Sequence, residues 1–330
     1  MKWRFLDLST TDPAFNLAAE EYVFSELSRD YAYFMLWQNR SSVIIGRHQN
    51  TAAEVNETFI REKGIKVVRR LSGGGAVYHD LGNLNFTFIR DETSSRLDLG
   101  IFCEPVAAAL RELGAPAEVN GRNDITVDGC KISGNAQYVR EGRVMHHGTL
   151  LFSADLGVAA QALRPSARKL RSKGVASVRS RMATLKEYLP KDTTLQDFKQ
   201  LLLDKLFAGQ PMEHYEWSEA DLAAIEKLRL ERYDTPQWNY GQSPPCDMSF
   251  VDYIPLCGTV EVRLSVRRGL IGKAEFLGDF FTHKDLAPLC AAFIGQTPNE
   301  EGFRTALEQV DPSEFIGGLS REALLALLLS

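Results

Sequence analysis

Cysteine is scarce in this chain, and its spacing excludes several classes of protein. Only five of the 330 residues are cysteines, an odd number, and no two of them form a C-x-x-C pair. A zinc ribbon and a disulfide framework both need paired cysteines, so we expect neither. Free thiols are typical of a reducing compartment, and we therefore expect a cytoplasmic protein.

Long apolar runs and an excess of positive charge are also missing. No window approaches the ~18 uncharged apolar residues of a membrane-spanning helix. The first residues meet a charge at Asp7, which is not typical of a signal peptide. The formal net charge of -5 does not suggest a nucleic-acid-binding protein. We therefore expect neither a membrane nor a nucleic acid as a partner.

Length and composition predict two domains of a globular protein. Residues 234–245 hold three prolines and two aromatic residues and are the best candidate for a linker. We predict a large domain over residues 1–245 and a small α+β domain over residues 246–330. The expected fold class is α/β (α+β), with mixed, largely antiparallel sheets flanked by helices. Strands are predicted at 33–37, 43–45, 66–70, 84–88, 123–127, 131–138 and 144–152. In 84–88, apolar residues alternate with Asn85 and Thr87, which predicts a half-buried strand with these two residues on its exposed side.

Capping residues predict where several helices begin. Asp12 precedes a proline, which is typical of an N-cap followed by the first helical position. Thr193 with Gln196, and Ser218 with Asp221, are each spaced as a capping box. A further helix is predicted over residues 99–113, and a β-hairpin over 260–276.

The strongest local signal is a run of three glycines, Gly73, Gly74 and Gly75, between two strand-like segments. Glycine lets the backbone approach a ligand closely and lets its N–H groups converge on an anion. The neighbouring Arg70 can fork onto a phosphate or carboxylate. The run is neither a Walker A loop nor a dinucleotide fingerprint. It predicts a ligand-binding loop, and a plain glycine-rich hairpin turn is the alternative.

A second signal surrounds Lys131, which opens a predicted strand and is followed by small residues. These leave room for a ligand, and the lysine can neutralise a phosphate or the charge that develops during acyl transfer. An exposed edge-strand lysine is the alternative. Farther along, His146 and His147 are adjacent on a strand and point to opposite faces, so we expect one core and one surface histidine. The basic segment 168–181 predicts either a solvated loop or one that closes over a nucleotide.

Taken together, these segments resemble the lipoate–protein ligase A family of the biotin/lipoate ligase superfamily. Residues 69–80 fit R-R-x-S-G-G-G-A-V-[FY]-H-D, residues 128–136 fit D-G-x-K-[IV]-S-G-[NS]-A, and residues 146–151 read H-H-G-T-L-L. All three occur in the family's order. The resemblance covers nearly the whole chain and weakens after residue 280.

The resemblance implies an enzyme with a two-step reaction. Lipoate and ATP give lipoyl-adenylate and pyrophosphate, with Mg²⁺ expected to accompany the ATP. A lysine of a lipoyl carrier domain then attacks the mixed anhydride and releases AMP. The implied carriers are the acyltransferase subunits of 2-oxoacid dehydrogenases and the glycine cleavage H protein.

The resemblance also implies roles for single residues. Lys131 would be the essential lysine that touches both the lipoate carboxyl and the α-phosphate. Residues 171–185 would order over the adenylate, and the small domain would move between the two steps. No residue is assigned to a metal. The other ATP-binding residues implied are Arg70, Gly75, Ala76, Val77, Tyr78 and Asp124. The other lipoate-binding residues implied are Ser72, Gly73, Gly74 and His79.

Alternatives remain open at this point. An octanoyltransferase of the same superfamily works without ATP, and some use a cysteine, for which Cys103 and Cys130 are the candidates in the large domain. A biotin ligase has a different glycine–arginine loop, and a non-catalytic lipoyl-binding protein would lose Lys131 or the basic segment. An apolar pocket discriminates one methylene by only ~1–3 kcal/mol, so octanoate could be a second substrate.

Overall fold

A largely antiparallel sheet forms the centre of the fold in the computed structural model, which describes residues 2–92, 98–120, 123–163, 182–241, 247–267 and 269–330. Within those ranges it has eight strands in the order β11-β1-β2-β6-β10-β9-β8-β7, and two three-stranded sheets have the orders β4-β3-β5 and β12-β13-β14. The strands are β1 (Trp3–Asp7), β2 (Ala32–Trp37), β3 (Ser42–Ile45), β4 (Lys66–Arg69), β5 (Val77–His79), β6 (Asn83–Asp91), β7 (Ala117–Asn120), β8 (Asp124–Val127), β9 (Cys130–Arg140), β10 (Arg143–Leu151), β11 (Met212–His214), β12 (Met248–Ile254), β13 (Gly258–Arg267) and β14 (Leu270–Gly278).

Helices flank the sheets, and most begin at a side-chain cap. Asp12 accepts from the amides of Ala14 and Phe15, as its position before a proline predicted. The predicted box at Ser218 is confirmed, but the one at Thr193 is wrong, because the cap is Thr194 with Asp197. The helices are α1 (Pro13–Ser25), α2 (Thr51–Glu54), α3 (Glu57–Glu62), α4 (Gly100–Glu112), α5 (Leu156–Ala162), α6 (Leu195–Leu206), α7 (Glu219–Leu228), α8 (Pro236–Asn239), α9 (Ala287–Phe293), α10 (Glu300–Gln309) and α11 (Arg321–Leu328).

The predicted strands of the large domain are all present, with small shifts at their ends. The expectation of a half-buried strand at 84–88 is wrong, because β6 lies between β2 and β10 and is buried on both faces. The apolar face, with Leu84, Phe86 and Phe88, joins the main hydrophobic core. The opposite face carries Asn85 and Thr87 into a polar interior, which makes this face of the sheet the floor of the candidate site.

The small sheet β4-β3-β5 frames the glycine run, because β4 ends just before it and β5 begins just after it. The sheet β12-β13-β14 packs with α9, α10 and α11 around a separate core that includes Val262, Phe276 and Phe293. The predicted boundary between residues 245 and 246 lies outside the described residues and stays a prediction. No helix in the described ranges is both long and apolar enough to cross a membrane.

Residues 234–245 were expected to form a linker, and this expectation is wrong for residues 234–241, the part that the structure describes. Helix α8 lies in this stretch, and Asn239 at its end is buried against β4. The Asn239 side chain accepts from the Arg69 amide at 2.9 Å, and the Arg69 guanidinium donates to the carbonyls of Trp238 and Asn239. This segment is therefore an integral part of the large domain.

Candidate active site

A cavity of about 120 Å³ lies between the polar face of the large sheet and the glycine run. Six residues predicted for the site line it, namely Arg70, Gly75, Ala76, Val77, His79 and Lys131. The glycine run supplies one wall, and strands β6, β9 and β10 supply the other. The structure therefore brings together two motifs that are far apart in the sequence.

A row of residues across the large sheet organises the second wall. Trp37 pairs with Asn85, and Asn85 pairs with Thr149 on the next strand. The Gly134 amide donates to Thr149 Oγ1 at 3.1 Å, and Gly134 pairs with Asp124. Adjacent strands are ~4.8 Å apart, so this transverse row spans roughly 19 Å. Its two ends differ in chemistry, since one end is aromatic and the other ionic.

Lys131 lies at the ionic end of the transverse row. Its Nζ is 2.6 Å from Asp124 Oδ1, and a Cβ added at Gly134 would lie 3.0 Å from the same Nζ. The pairing of β8 with β9 is irregular between Ile125 and Thr126. A bulge of this kind re-aims side chains next to it, which places Lys131 and Gly134 on the same wall. The ammonium therefore faces the cavity beside Gly134, where an added Cβ would crowd it.

Arg70 holds the glycine run in shape. Its guanidinium donates to the carbonyls of Gly73 at 2.7 Å, Gly75 at 2.9 Å and Ile44 at 3.2 Å, and to Ser72 Oγ at 3.0 Å. Burial lowers the pKa of Arg70 to about 10, so the side chain stays charged at neutral pH. Its donors are engaged by the protein, although the side chain also lines the cavity.

Gly73 and Gly74 face the small domain. The Gly74 amide donates to the Phe280 carbonyl at 3.2 Å, and a Cβ on Gly73 would lie only 2.2 Å from that oxygen. Gly74 has φ +89°, in the left-handed region that favours glycine. Neither residue lines the cavity, so their contact with lipoate stays a prediction. What these glycines do here is allow the close approach of the small domain, which the sequence did not indicate.

Ser72 and His147 belong to one buried chain of hydrogen bonds. Ser72 Oγ lies 2.6 Å from His147 Nε2, and His147 Nδ1 lies 3.1 Å from Glu20 Oε1. Thr87 donates to the same carboxylate oxygen at 2.5 Å. The expectation of a surface histidine is wrong, because His147 is buried and lines the cavity, while His146 lies in the core. Ser72 supports the wall through His147.

The remaining predicted residues lie near the site or outside the described ranges. Tyr78 does not line the cavity, and its hydroxyl donates to Ser41 Oγ at 3.2 Å. Asp124 reaches the cavity only through its ion pair with Lys131. Of residues 171–185, which were predicted to order over the adenylate, those up to residue 181 lie outside the described residues. In the described part of the same segment, the Ala183 amide donates to the Lys131 carbonyl at 3.1 Å.

The two cysteines considered as nucleophiles are not in the cavity. Cys103 is fully buried in α4, and its burial raises the pKa of the thiol to about 12. Cys130 does not line the cavity either. A thiolate is the reactive form of cysteine, so the structure gives no support to a cysteine-dependent acyl transfer.

The site contains carboxylates, but its described residues form no preformed metal cage. Within the described ranges, no group of three histidine, cysteine or acidic side chains could hold a metal ion. A Mg²⁺ that arrives with a nucleotide needs only one or two carboxylates plus phosphate oxygens. Asp124, beside Lys131, is a carboxylate that fits this need.

The cavity has the chemistry of an acyl-activating site. A lysine faces a narrow cavity lined by both apolar and polar side chains, and the backbone of a glycine loop lies across from it. Positive charge held beside the reacting groups stabilises the anions that form in acyl and phosphoryl transfer. Two family models match this chain and agree with an acyl-activating enzyme. Residues 12–207 match the lipoyl protein ligase A/B catalytic domain, and residues 243–328 match the bacterial lipoate protein ligase C-terminus.

Individual relatives narrow this class. Lipoate–protein ligase 1 of Staphylococcus aureus is 41% identical over 319 residues, which cover 96% of this chain and 97% of that protein. A bi-partite lipoate protein ligase of Thermoplasma acidophilum, solved in a study with its E2 lipoyl domain, is 28% identical with a TM-score of 0.65, covering 75% of this chain and 100% of that one. A lipoate-protein ligase A bound with ATP is 28% identical with a TM-score of 0.63, covering 73% and 99%. The chain belongs to the lipoate–protein ligase family, and the predicted family, fold class and enzyme class are confirmed.

Proposed function

We propose that this chain uses ATP to activate lipoate as lipoyl-adenylate and then transfers the lipoyl group to a lysine of lipoyl carrier domains. The observation that carries the proposal is the position of Lys131, whose ammonium faces a cavity closed on the other side by Gly75, Ala76 and Val77. The related ligase bound with ATP and the archaeal ligase studied with an E2 lipoyl domain support the two substrates.

In the first step, a lipoate carboxylate oxygen attacks the α-phosphorus of ATP. The new O–P bond forms as the bond to pyrophosphate breaks, and negative charge accumulates on the α-phosphate oxygens. The Lys131 ammonium neutralises this charge and the carboxylate together, which lowers the barrier. Asp124 holds the ammonium in place, and Gly134 leaves room for it.

In the second step, the amine of the carrier lysine attacks the carbonyl carbon of the mixed anhydride. The C–O bond to AMP breaks, AMP leaves with the electron pair, and the amine loses its proton to give the amide. Lys131 stabilises the carbonyl oxygen as it becomes negative. We propose the acyltransferase subunits of 2-oxoacid dehydrogenases and the glycine cleavage H protein as carriers.

Further parts of the proposal rest on the family resemblance. Mg²⁺ would enter with ATP and find one carboxylate in Asp124. Arg70 and Tyr78 are proposed near ATP, and Ser72 and His79 on the lipoate side. The proposed location is the cytoplasm, and the proposed division is into domains 1–245 and 246–330.

The test incubates the full-length protein with lipoate, ATP, Mg²⁺ and labelled pyrophosphate. We expect lipoate-dependent exchange of label into ATP and, with a lipoyl domain added, a lipoylated lysine by mass spectrometry. A carrier whose target lysine is replaced by arginine is the matched control and should stay unmodified. Transfer of octanoate from an octanoylated carrier without ATP, with no exchange, would favour the octanoyltransferase instead.

A further inference from the structure

His79 lines the part of the cavity that contains Trp37. It ends strand β5, is only 4% exposed and lines the cavity. Its ring centroid is 6.3 Å from that of Trp37, the aromatic end of the transverse row. Its burial is nearly complete, so a polar atom of this ring needs a partner inside the site.

The neighbours of His79 fix which ring nitrogen carries the proton. The Asn16 amide nitrogen donates to the Gln38 carbonyl at 2.8 Å and to the Thr10 carbonyl at 3.2 Å, and these backbone oxygens can only accept. The same nitrogen lies 2.9 Å from Asn39 Oδ1. This contact fixes the orientation of the Asn39 amide, because the opposite orientation would place two N–H donors against each other.

The Asn39 amide nitrogen consequently faces His79 Nδ1 at 3.1 Å. It is a donor, so Nδ1 accepts and Nε2 carries the hydrogen. Burial is the main cause that lowers the pKa of His79, to about 3, so the ring stays neutral at physiological pH. His79 is therefore held as a permanent Nε2–H donor.

This donor has no partner among the described residues, and neither does a second one nearby. His79 Nε2 and Asn85 Nδ2 are both buried without a hydrogen bond to any described atom. Asn85 Oδ1 accepts from Asn83 Nδ2 at 2.8 Å, which leaves the amide nitrogen free. Both residues line the same cavity. By contrast, both nitrogens of His147 have partners in the protein.

The position of this pair along the transverse row shows which part of a substrate it meets. Asn85 is two strands from Gly134 and Trp37 is three, which at ~4.8 Å per strand puts the pair roughly 10–14 Å from the lysine end. The acid must meet Lys131 with its carboxyl group to be activated. The donor pair therefore faces the tail of the acyl chain.

We propose that His79 and Asn85 form a fixed pair of hydrogen-bond donors that selects acyl tails bearing acceptor atoms, such as the sulfurs of a dithiolane ring, over plain alkyl tails. Asn39 is the positioning residue that keeps His79 in its donor tautomer. Sulfur in a thioether is a weak acceptor, and an alkyl tail would leave both buried donors unpaired. The inference rests on the proposed function and names the substrate class of that site.

The kinetic test compares lipoate with octanoate in ATP–pyrophosphate exchange. The variant is His79→Phe, which keeps an aromatic ring and removes the donor. We expect the ratio of kcat/KM for lipoate to that for octanoate to fall about tenfold, the scale of one buried hydrogen bond. The matched control is His214→Phe, the same change on the exposed edge strand β11, which should leave the ratio unchanged.

A spectroscopic test needs no substitution in the pocket. ¹⁵N spectra of the histidine rings in the full-length protein should show His79 as the Nε2–H tautomer throughout pH 6–8, with its signal shifted by lipoate more than by octanoate. Asn39→Ala should produce a mixture of tautomers. A His79 that carries its proton on Nδ1, or equal losses for both acids in His79→Phe, would overturn the inference. Absence of exchange with either acid in the wild-type protein would instead sink the proposed function.

Discussion

Two cationic side chains line the same cavity, and the protein treats them in opposite ways. Arg70 is buried and spends its donors on Ser72 and on the carbonyls of Ile44, Gly73 and Gly75. Lys131 forms an ion pair with Asp124, and a third of its side chain is exposed. Arg70 therefore stabilises the glycine loop, whereas Lys131 is available to a substrate.

The difference separates two roles that look alike in the sequence. An arginine offers several donors in a rigid fork, which suits it to holding several carbonyls of a turn at once. A lysine is a compact charge on a flexible stem, and it can follow charge that moves from a carboxylate to a phosphate. We therefore expect changes at Arg70 to act mainly on stability and changes at Lys131 to act on catalysis.

The largest effect is expected for Lys131→Ala. Removing a group that stabilises transition-state charge typically costs 10²–10³-fold, and this lysine acts in both steps, so we expect a loss of roughly 10³-fold in lipoyl transfer. The measurement is the rate of carrier lipoylation, with thermal unfolding followed in parallel. Lys205→Ala, at an exposed lysine paired with Glu112, is the control. Activity within tenfold of the wild type would refute the assigned role.

The second change, Arg70→Gln, should act on the fold. It removes bonds to Gly73, Gly75 and Ile44 and leaves their buried carbonyls unpaired, which we expect to lower the free energy of unfolding by about 3 kcal/mol. Urea denaturation measures the loss, and Arg40→Gln at the exposed surface is the control. Unchanged stability with a large rise in the KM for ATP would reverse the comparison, because Arg70 would then act mainly on the nucleotide and not on the fold.

Local sequence signals predicted the parts of the site that local chemistry determines. The Asp12 cap, the strands on either side of the glycine run and the placement of Lys131 beside small residues all follow from neighbours in the chain. The capping box near Thr193 failed because two threonines are adjacent there, and the second, Thr194, finds its partner in Asp197.

The parts that were missed depend on contacts distant in the sequence. Nothing near Gly74 indicates that its amide meets the Phe280 carbonyl of the small domain. Asn85 was predicted to lie on the exposed side of a strand. Alternation of apolar and polar residues shows that the two faces of a strand differ, but it does not show that the polar face meets solvent. A usable signal was present, since small polar residues such as Asn85 and Thr87 replace the long charged ones that solvent-facing strands carry.

A third change, Gly74→Val, tests the glycine loop where it meets the small domain. Its Cβ would lie 3.0 Å from Arg70 Nη2 and 3.1 Å from Phe281 Cε1, in a left-handed conformation that a branched residue resists. We expect a loss of about 2 kcal/mol in unfolding free energy and weaker lipoate binding, because the displaced loop forms the cavity wall.

The control for this change is Gly64→Val, which has a similar φ of +62° but open space around the added atoms. It isolates backbone strain from the clash. Equal losses at the two sites would show that contact with Arg70 and Phe281 adds nothing, and unchanged lipoate affinity in Gly74→Val would count against the loop as a wall of the site.

The smallest effect is expected for Gly134→Ala, which probes how finely the lysine is placed. The added methyl would lie 3.0 Å from Lys131 Nζ and 3.1 Å from Cε, and the flexible end of the side chain can move away. Stability should therefore stay within about 0.5 kcal/mol, while the displaced ammonium should slow adenylation about tenfold, since small misplacements of a catalytic group are costly. Gly272→Ala, on strand β14 with only ordinary contacts, is the control. A Gly134→Ala protein as active as the wild type would show that Lys131 needs no fixed position. The two cations would then differ only in how freely their side chains move.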